Sequence, residues 1–183
     1  MSPTVWYVAR SAGIVAYLLL SSSVVLGVLM SARLQLTWPR FAVEELHRFL
    51  AILTACFLAL HGLSLLADRV VPLALWQAVV PFTSPYRPFA VGLGVVALEL
   101  MAAVGVSNAL RKRLPYRRWR AVHYLTIGVW GLATLHAVLA GTDRSDPWFA
   151  AIVAGAVSAV LFAFAVRFRG PAVAWLRMPQ PRA

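Results

Sequence analysis

The sequence HRFLAILTACFLALH begins at His47 and ends at His61, and nearly all the residues between the two histidines are apolar. A second stretch of the same kind, HYLTIGVWGLATLH, begins at His123 and ends at His136. These four residues are all the histidines of the chain. An ionisable side chain inside an apolar segment of membrane-spanning length is a functional-site hypothesis by default.

The two histidines of each stretch are separated by most of a membrane thickness. A spacing of fourteen residues spans about 21 Å of helix and a spacing of thirteen about 19.5 Å, against a hydrocarbon core of about 30 Å. Imidazole is a common axial ligand of haem iron. Two helices that each carry two histidines supply four ligands, which is enough for two b-type haems at two depths. The sequence therefore predicts two haem b groups between the second and fourth helices.

The two spacings differ in helical rotation. Fourteen residues return to within about 40° of the starting direction, so His47 and His61 share a helix face. Thirteen residues leave His123 and His136 about 140° apart, which would require a local change of winding or two haems rotated relative to each other. Gly128 lies between these histidines and is a candidate position for such a change, as is Gly131.

Composition favours a membrane protein with one domain, residues 1–183. The chain is 61% hydrophobic and 13% charged, which does not fit an ordinary soluble domain. The single cysteine, Cys56, cannot form an intramolecular disulfide, and no C-x-x-C-H motif is present for covalent haem attachment. The net charge of +11 is assigned to cytoplasmic loops, with no nucleic-acid partner.

The apolar segments predict an all-α bundle of five transmembrane helices. The first is too long for a signal-peptide core and is predicted to span. Residues 70–88 are apolar but interrupted by four prolines, and are predicted to form an interfacial cap, with a sixth span as the alternative. GLGVVA, at residues 92–97, is a partial nucleotide-loop motif that we discard because no strand precedes it. The predicted spans are about 4–31, 44–67, 89–110, 121–140 and 148–168.

Basic residues predict the orientation in a plasma membrane of bacterial type. Placing the first and third connections and the C-terminus inside puts 13 of the 17 basic residues there, so the N-terminus is expected outside and the C-terminus in the cytoplasm. The second and fourth spans then run in parallel. His47 and His123 are expected to hold the inner haem, and His61 and His136 the outer haem. The basic residues expected on the outer side are Arg10, Arg69, Arg87 and Arg144. Those expected on the cytoplasmic side are Arg33, Arg40, Arg48, Arg167, Arg169, Arg177, Arg182 and the six basic residues of 111–120.

Several charged residues lie at the depths of the predicted haems. Arginine binds carboxylates in a bidentate manner. Arg48 and Arg120 are therefore candidate partners of the propionates of the inner haem, and Arg87 is a candidate partner of those of the outer haem. The alternative for each arginine is an anchor at the membrane interface. Glu99, near the middle of the third span, is either a functional acid, in a proton relay or beside a haem, or a neutral acid hydrogen-bonded between helices. The basic cluster 111–120 could dock an acidic cytoplasmic partner or contact anionic membrane lipid.

Three stretches resemble a known family. HRFLAILTACFLALH, PFTSPYRPF and WRAVHYLTIGVWGLATLHAVLAGTD are similar to the ferric reductase-like transmembrane domain. This family includes the membrane cores of ferric reductases and NADPH oxidases and the haem-binding subunit of the bacterial methionine sulfoxide reductase system. The resemblance covers roughly residues 5–167. It implies a helical bundle with two bis-histidine b haems that carry electrons from the cytoplasmic to the outer side.

The resemblance also implies a role for Arg10. In NADPH oxidases an arginine on the helix before the first ligand helix lies near the outer haem, where oxygen is reduced, and Arg10 in VARSAG matches that position. A further histidine one turn beyond the outer ligand is replaced here by Leu65. Full-length reductases and oxidases continue into a flavin- and NADPH-binding domain that these 183 residues do not contain, so a separate cytoplasmic flavoprotein or a membrane quinol is the expected donor.

Three functions remain open from the sequence. The first is a transmembrane electron conduit to an unknown acceptor at the outer face. The second is a terminal reductase of ferric ions or oxygen at that face. The third is a haem-free transporter or assembly protein whose histidines are structural.

Overall fold

The structure is a bundle of five long α-helices. It is a computed structural model that describes residues 4–32, 38–68 and 73–174, the last five by their backbone only. Arg33, Arg69, Arg177 and Arg182 therefore lie outside the described residues. The helices are α1 Thr4–Ser31, α2 Arg40–Ala67, α3 Pro88–Ala109, α4 Tyr116–Ala140 and α5 Pro147–Ala174.

All five helices of the described residues are long and apolar enough to cross a membrane. The shortest, α3, has 22 residues, which corresponds to about 33 Å and exceeds a hydrocarbon core of about 30 Å. An apolar helix of this length satisfies its own backbone hydrogen bonds, as a lipid environment requires. The regular structure of the described residues is therefore all-helical, and its five helices are compatible with an integral membrane protein.

Prolines determine where four of the helices begin. The proline ring fixes φ near the helical value and lacks an N–H group, so it suits the start of a helix. Two helices consequently begin earlier than hydropathy predicts, α2 at residue 40 instead of 44 and α4 at residue 116 instead of 121. The prolines are Pro39 immediately before α2, Pro88 as the first residue of α3, Pro115 immediately before α4 and Pro147 as the first residue of α5.

The connection between α2 and α3 contains no spanning helix in its described part, residues 73–87. It forms one short 3₁₀ turn, Leu75–Ala78, and then a loop in which Gln77 donates a hydrogen bond to the Thr83 carbonyl at 3.3 Å. Phe82 has a positive φ of 66°, and its ring lies against Gly92 of α3. The five-helix form, and not the six-helix alternative, is the one that the described residues adopt.

Helix α1 lies at the centre of the bundle. It packs on α2, α4 and α5, whereas α3 packs mainly on α4. Two polar contacts join α1 to α4: Trp130 donates to the Ser21 hydroxyl at 3.0 Å, and the Thr134 hydroxyl lies 3.2 Å from that of Tyr17. The two histidine-bearing helices, α2 and α4, are thus each supported by a different neighbour, α1 and α3. The buried core between the helices includes Val24, Val28, Ala97, Val129, Val160 and Ala163.

Candidate functional site

The structure brings the four histidines together as two pairs, each with one residue from α2 and one from α4. The ring centroids of His47 and His123 are 6.1 Å apart, with an angle of 69° between the ring planes. Those of His61 and His136 are 6.4 Å apart, with an angle of 78°. We refer to these as the 47–123 pair and the 61–136 pair. The pairing requires α2 and α4 to run in the same direction, as the sequence predicts.

The separation within each pair fits a metal ion held between the two imidazoles. Metal–imidazole nitrogen bonds are about 2.0–2.1 Å long, and the nitrogen of a five-membered ring with bonds of about 1.35 Å lies about 1.15 Å from its centroid. Two ligands in line on opposite sides of an ion therefore have centroids about 6.3–6.5 Å apart. A direct N–H···N hydrogen bond of about 2.9 Å would instead give about 5.2 Å. The observed 6.1 and 6.4 Å match the first arrangement.

Three of the histidines are oriented by a backbone carbonyl of the preceding helix. A carbonyl oxygen only accepts hydrogen bonds, so these contacts favour the tautomer with the proton on Nδ1, which keeps the lone pair of Nε2 free for a metal. At His47 the Ser23 hydroxyl also lies 3.1 Å from Nδ1. Histidines that ligate metals are almost always fixed by this kind of contact. The Nδ1 contacts are His47 with Ser23 O at 3.0 Å, His61 with Ala9 O at 2.7 Å and His136 with Ala90 O at 2.8 Å.

A glycine four residues after each of these carbonyls makes room for the same imidazole ring. A Cβ atom at Gly94 would lie 2.6 Å from Nδ1 of His136, and one at Gly13 would lie 2.9 Å from Nδ1 of His61. A Cβ atom at Gly27 would lie 3.3 Å from Cε1 of His47. Each ring therefore occupies a cradle on the neighbouring helix that consists of a carbonyl and, one turn later, a glycine.

His123 is held in a different way. Its Nδ1 atom is buried and has no hydrogen-bond partner among the described residues. Its ring stacks on the indole of Trp119, with centroids 5.3 Å apart and planes 24° apart. Trp119 in turn donates a hydrogen bond to the Asn108 side chain at 2.8 Å and lies 4.7 Å from the guanidinium of Arg111. An aromatic stack thus replaces the carbonyl and glycine that support the other three histidines.

The unequal spacing of the histidines explains this difference. His47 and His61 are rotated by only about 40°, so both can reach carbonyls of α1. His123 is rotated by about 140° from His136, so it cannot lie in the same groove of α3. Helix α4 is a continuous α-helix through this region, and Cβ atoms at Gly128 and Gly131 would contact nothing within 4 Å. The rotation is accommodated by a different support for His123 and not by a break at the glycines.

Two of the predicted arginines lie near the 61–136 pair. Arg10, which follows the carbonyl residue of His61, forms an ion pair with the buried Asp143 and lies 5.7 Å from the Trp148 ring. Arg87 donates to the Leu139 carbonyl at 2.8 Å, three residues after His136. In the structure Arg10 joins α1 to the loop between α4 and α5, and Arg87 joins the start of α3 to the end of α4.

The other two predicted arginines lie near the 47–123 pair. Arg48, next to His47, is exposed and forms an ion pair of 3.2 Å with Glu45. Arg120, three residues before His123, hydrogen-bonds to the hydroxyls of Tyr116 and Tyr124. Their role toward a propionate stays a prediction. Glu99 is exposed on α3, and its two alternative roles also stay open.

Sequence reasoning missed the cradles, Trp119 and Asp143. Gly94 lies inside the GLGVVA run, which we considered only as a nucleotide-loop motif. One signal could have found two of the cradles, because Gly13 and Gly27 have the same spacing of fourteen as the histidines that they contact. The described residues contain no group of three or more His, Cys, Asp or Glu side chains that could hold a bare metal ion. Each pair offers two imidazoles, so a metal held there would take its remaining ligands from a bound group.

The chain matches the family described as Domain of unknown function (DUF8596) over residues 4–143, and it belongs to that family. The matched residues contain all four histidines and the helices α1–α4, whereas α5 begins at Pro147. The description of the family assigns no activity. No curated protein and no solved structure matches the chain.

Proposed function

We propose that this member of the DUF8596 family carries electrons across a membrane through two haem b groups, one ligated by the 47–123 pair and one by the 61–136 pair. The observation that carries the proposal is the centroid separation of 6.1 and 6.4 Å in pairs that join α2 to α4. Bound haem would supply one-electron redox chemistry at each site.

The residues around the histidines support a non-covalent haem site. Three imidazoles contact a backbone carbonyl through Nδ1, which favours the tautomer that leaves Nε2 free for ligation. The least buried of the five spans are α2 and α4, and these are the helices that a flat macrocycle between the pairs would cover. The protein itself would contribute ligation, spacing and exclusion of water, which are the usual contributions of a protein to its cofactor.

The proposed direction of transfer follows from the distribution of basic residues. The connection between α3 and α4 together with the first turns of α4 carries six of them between residues 111 and 120, which favours a cytoplasmic position for the 47–123 pair. Electrons would then enter at this pair from a flavoprotein or quinol and leave at the 61–136 pair. The proposed location is a plasma membrane of bacterial type, with the N-terminus outside.

The test is the haem content of the purified protein and of its histidine variants. We expect about two haem b groups per chain in a pyridine haemochrome assay of protein from haem-replete cells. His61→Ala and His136→Ala should each remove one haem and leave the other, because each pair needs both ligands. Cys56→Ala is the control on the same helix, since Cys56 is exposed and contacts neither pair. A colourless parent protein would refute the proposal and favour the haem-free alternative.

Reoxidation of the reduced protein separates the conduit from a terminal reductase. The dithionite-reduced protein, freed of excess reductant, is mixed with a ferric chelate or with oxygen in a stopped-flow instrument. Reoxidation within milliseconds by either would identify a terminal reductase. Slow reoxidation by both would indicate a protein acceptor at the outer face.

A further inference from the structure

The two histidine pairs are not equivalent in the way that their ligands are held. In the 61–136 pair both Nδ1 atoms contact a backbone carbonyl, at 2.7 and 2.8 Å. In the 47–123 pair only His47 has such a contact, at 3.0 Å. His123 is held instead by its stack on Trp119. The two pairs therefore differ in the support of one predicted ligand, His123, which is held by Trp119 and not by a carbonyl.

We infer that Trp119 is the positioning residue of His123, and that the 47–123 pair holds its haem less tightly and at a higher reduction potential than the 61–136 pair. This inference rests on the proposed function, because it concerns how the residues of this chain tune haem ligation.

The first reason is the basicity of the ligand. An imidazole whose Nδ1–H donates to a carbonyl is a stronger electron donor through Nε2, and it stabilises the more highly charged, oxidised iron. The Nδ1 atom of His123 has no such acceptor among the described residues. The oxidised form is therefore stabilised less at this pair, which raises the reduction potential and weakens ligation in the ferric state.

The second reason is the positive charge at the end of the stack. The guanidinium of Arg111 lies 4.7 Å from the Trp119 ring centroid, and Trp119 lies directly on His123. A cation on this side favours the form of the iron with the lower charge, which is the reduced one. Arg111 is exposed, so solvent screens its charge and the contribution is smaller than that of the ligand itself. Both effects raise the potential.

The His123 ring stacks on the Trp119 indole and meets the edge of His47, and its Nδ1 atom has no hydrogen-bond partner among the described residues. The Trp119 ring is itself fixed by its hydrogen bond to Asn108 at 2.8 Å. Without the indole, the His123 ring loses this stack and has no hydrogen bond at Nδ1 to keep it facing His47. Phenylalanine would keep a stacking face, whereas alanine would remove it.

Redox titration of single-pair variants tests the order of the potentials. His61→Ala leaves only the 47–123 pair, and His47→Ala leaves only the 61–136 pair. Spectroelectrochemical titration of each should give a higher midpoint for the 47–123 pair. Arg111→Gln in the His61→Ala background should lower that midpoint and leave the haem content unchanged. A midpoint of the 47–123 pair at or below that of the 61–136 pair would overturn the inference.

Substitutions of Trp119 in the His61→Ala background test the positioning role. Trp119→Ala should lower the haem affinity of the remaining pair by about tenfold or more, the usual effect of removing an outer-shell partner of a metal ligand. Trp119→Phe should restore haem binding and the low-spin spectrum. Trp76→Ala, at an exposed tryptophan of the 3₁₀ turn, is the control.

Each result has one meaning. Haem affinity and midpoint that are the same in Trp119→Ala and Trp76→Ala would overturn the positioning role while leaving the proposed function intact. A parent protein without haem would refute the proposed function and this inference together. Loss of haem in the phenylalanine variant as well would overturn the stacking argument, because the aromatic face would then not be what holds His123.

Discussion

Replacing Gly94 by alanine should selectively weaken the 61–136 site. The new Cβ atom would lie 2.6 Å from Nδ1 of His136, whereas ordinary contacts begin at 3.4 Å. The ring must therefore move by about 0.8 Å. A movement of that size lengthens the 2.8 Å contact with the Ala90 carbonyl to about 3.6 Å, at which a hydrogen bond is lost.

The magnitude follows from two contributions. A lost hydrogen bond costs about 0.5–1.5 kcal/mol, and overpacking costs about 1–3 kcal/mol. The two contributions sum to about 1.5–4.5 kcal/mol, and each 1.4 kcal/mol corresponds to a tenfold change in affinity, so the haem affinity of the 61–136 pair should fall about 10- to 1,000-fold in Gly94→Ala. The assay is haem stoichiometry by pyridine haemochrome, followed by the rate of haem loss to excess apomyoglobin.

Gly105→Ala is the matched control on the same helix. A Cβ atom at Gly105 would contact nothing within 4 Å. Gly105→Ala therefore gains the helix propensity of alanine, which is better than that of glycine by about 1 kcal/mol, and it introduces no clash. Equal haem retention in Gly94→Ala and Gly105→Ala would refute the cradle. The other cradles should give a graded series, because the Cβ distance is 2.9 Å at Gly13 and 3.3 Å at Gly27. We expect Gly13→Ala to release the haem of the 61–136 pair more slowly than Gly94→Ala does, and Gly27→Ala to be nearly neutral.

Two further predictions concern stability, measured by thermal unfolding in detergent. Asp143→Asn should destabilise the protein by about 1–3 kcal/mol, because it breaks the ion pair of a buried carboxylate with the partly exposed Arg10. The control is Arg40→Gln, which breaks an exposed ion pair and should change stability by less than about 0.5 kcal/mol. Equal effects of the two substitutions would contradict the importance of burial. Trp130→Phe removes the 3.0 Å hydrogen bond to buried Ser21. It should lower the free energy of unfolding by about 0.5–1.5 kcal/mol and leave the haem content unchanged. Loss of haem would show that this hydrogen bond also positions the ligands.

The bundle could be predicted from the sequence because length and hydropathy are properties of single segments. A run of more than twenty apolar residues has few alternatives to a spanning helix. The pairing of the four histidines could also be predicted, because equal depth on two parallel helices lets the members of each pair meet where the two helices face each other. The starts of α2 and α4 were predicted too late, because charged residues lower the hydropathy of a first turn that Pro39 and Pro115 nevertheless place in the helix.

The supports of the histidines depend on contacts between helices, which hydropathy does not encode. A glycine in an apolar helix serves many kinds of packing, so nothing local marks Gly94 as the position that faces His136. Trp119 likewise looks like an interfacial aromatic residue in a basic cluster. The spacing of thirteen does carry information, since it places His123 about 140° from His136 on α4. That rotation predicts that one ligand needs a separate support, but not which residue provides it.

The pairing of α1 with α2 and of α3 with α4 divides the first four helices into two halves of similar organisation. Each half consists of a supporting helix followed by a helix with two histidines, and the histidine-bearing helices of the two halves run in the same direction. Each half contributes one ligand to each pair, and neither half contains a complete site. Two halves expressed as separate chains would have to associate before any haem could bind, and the bound haems would in turn act as cross-braces that hold the halves together.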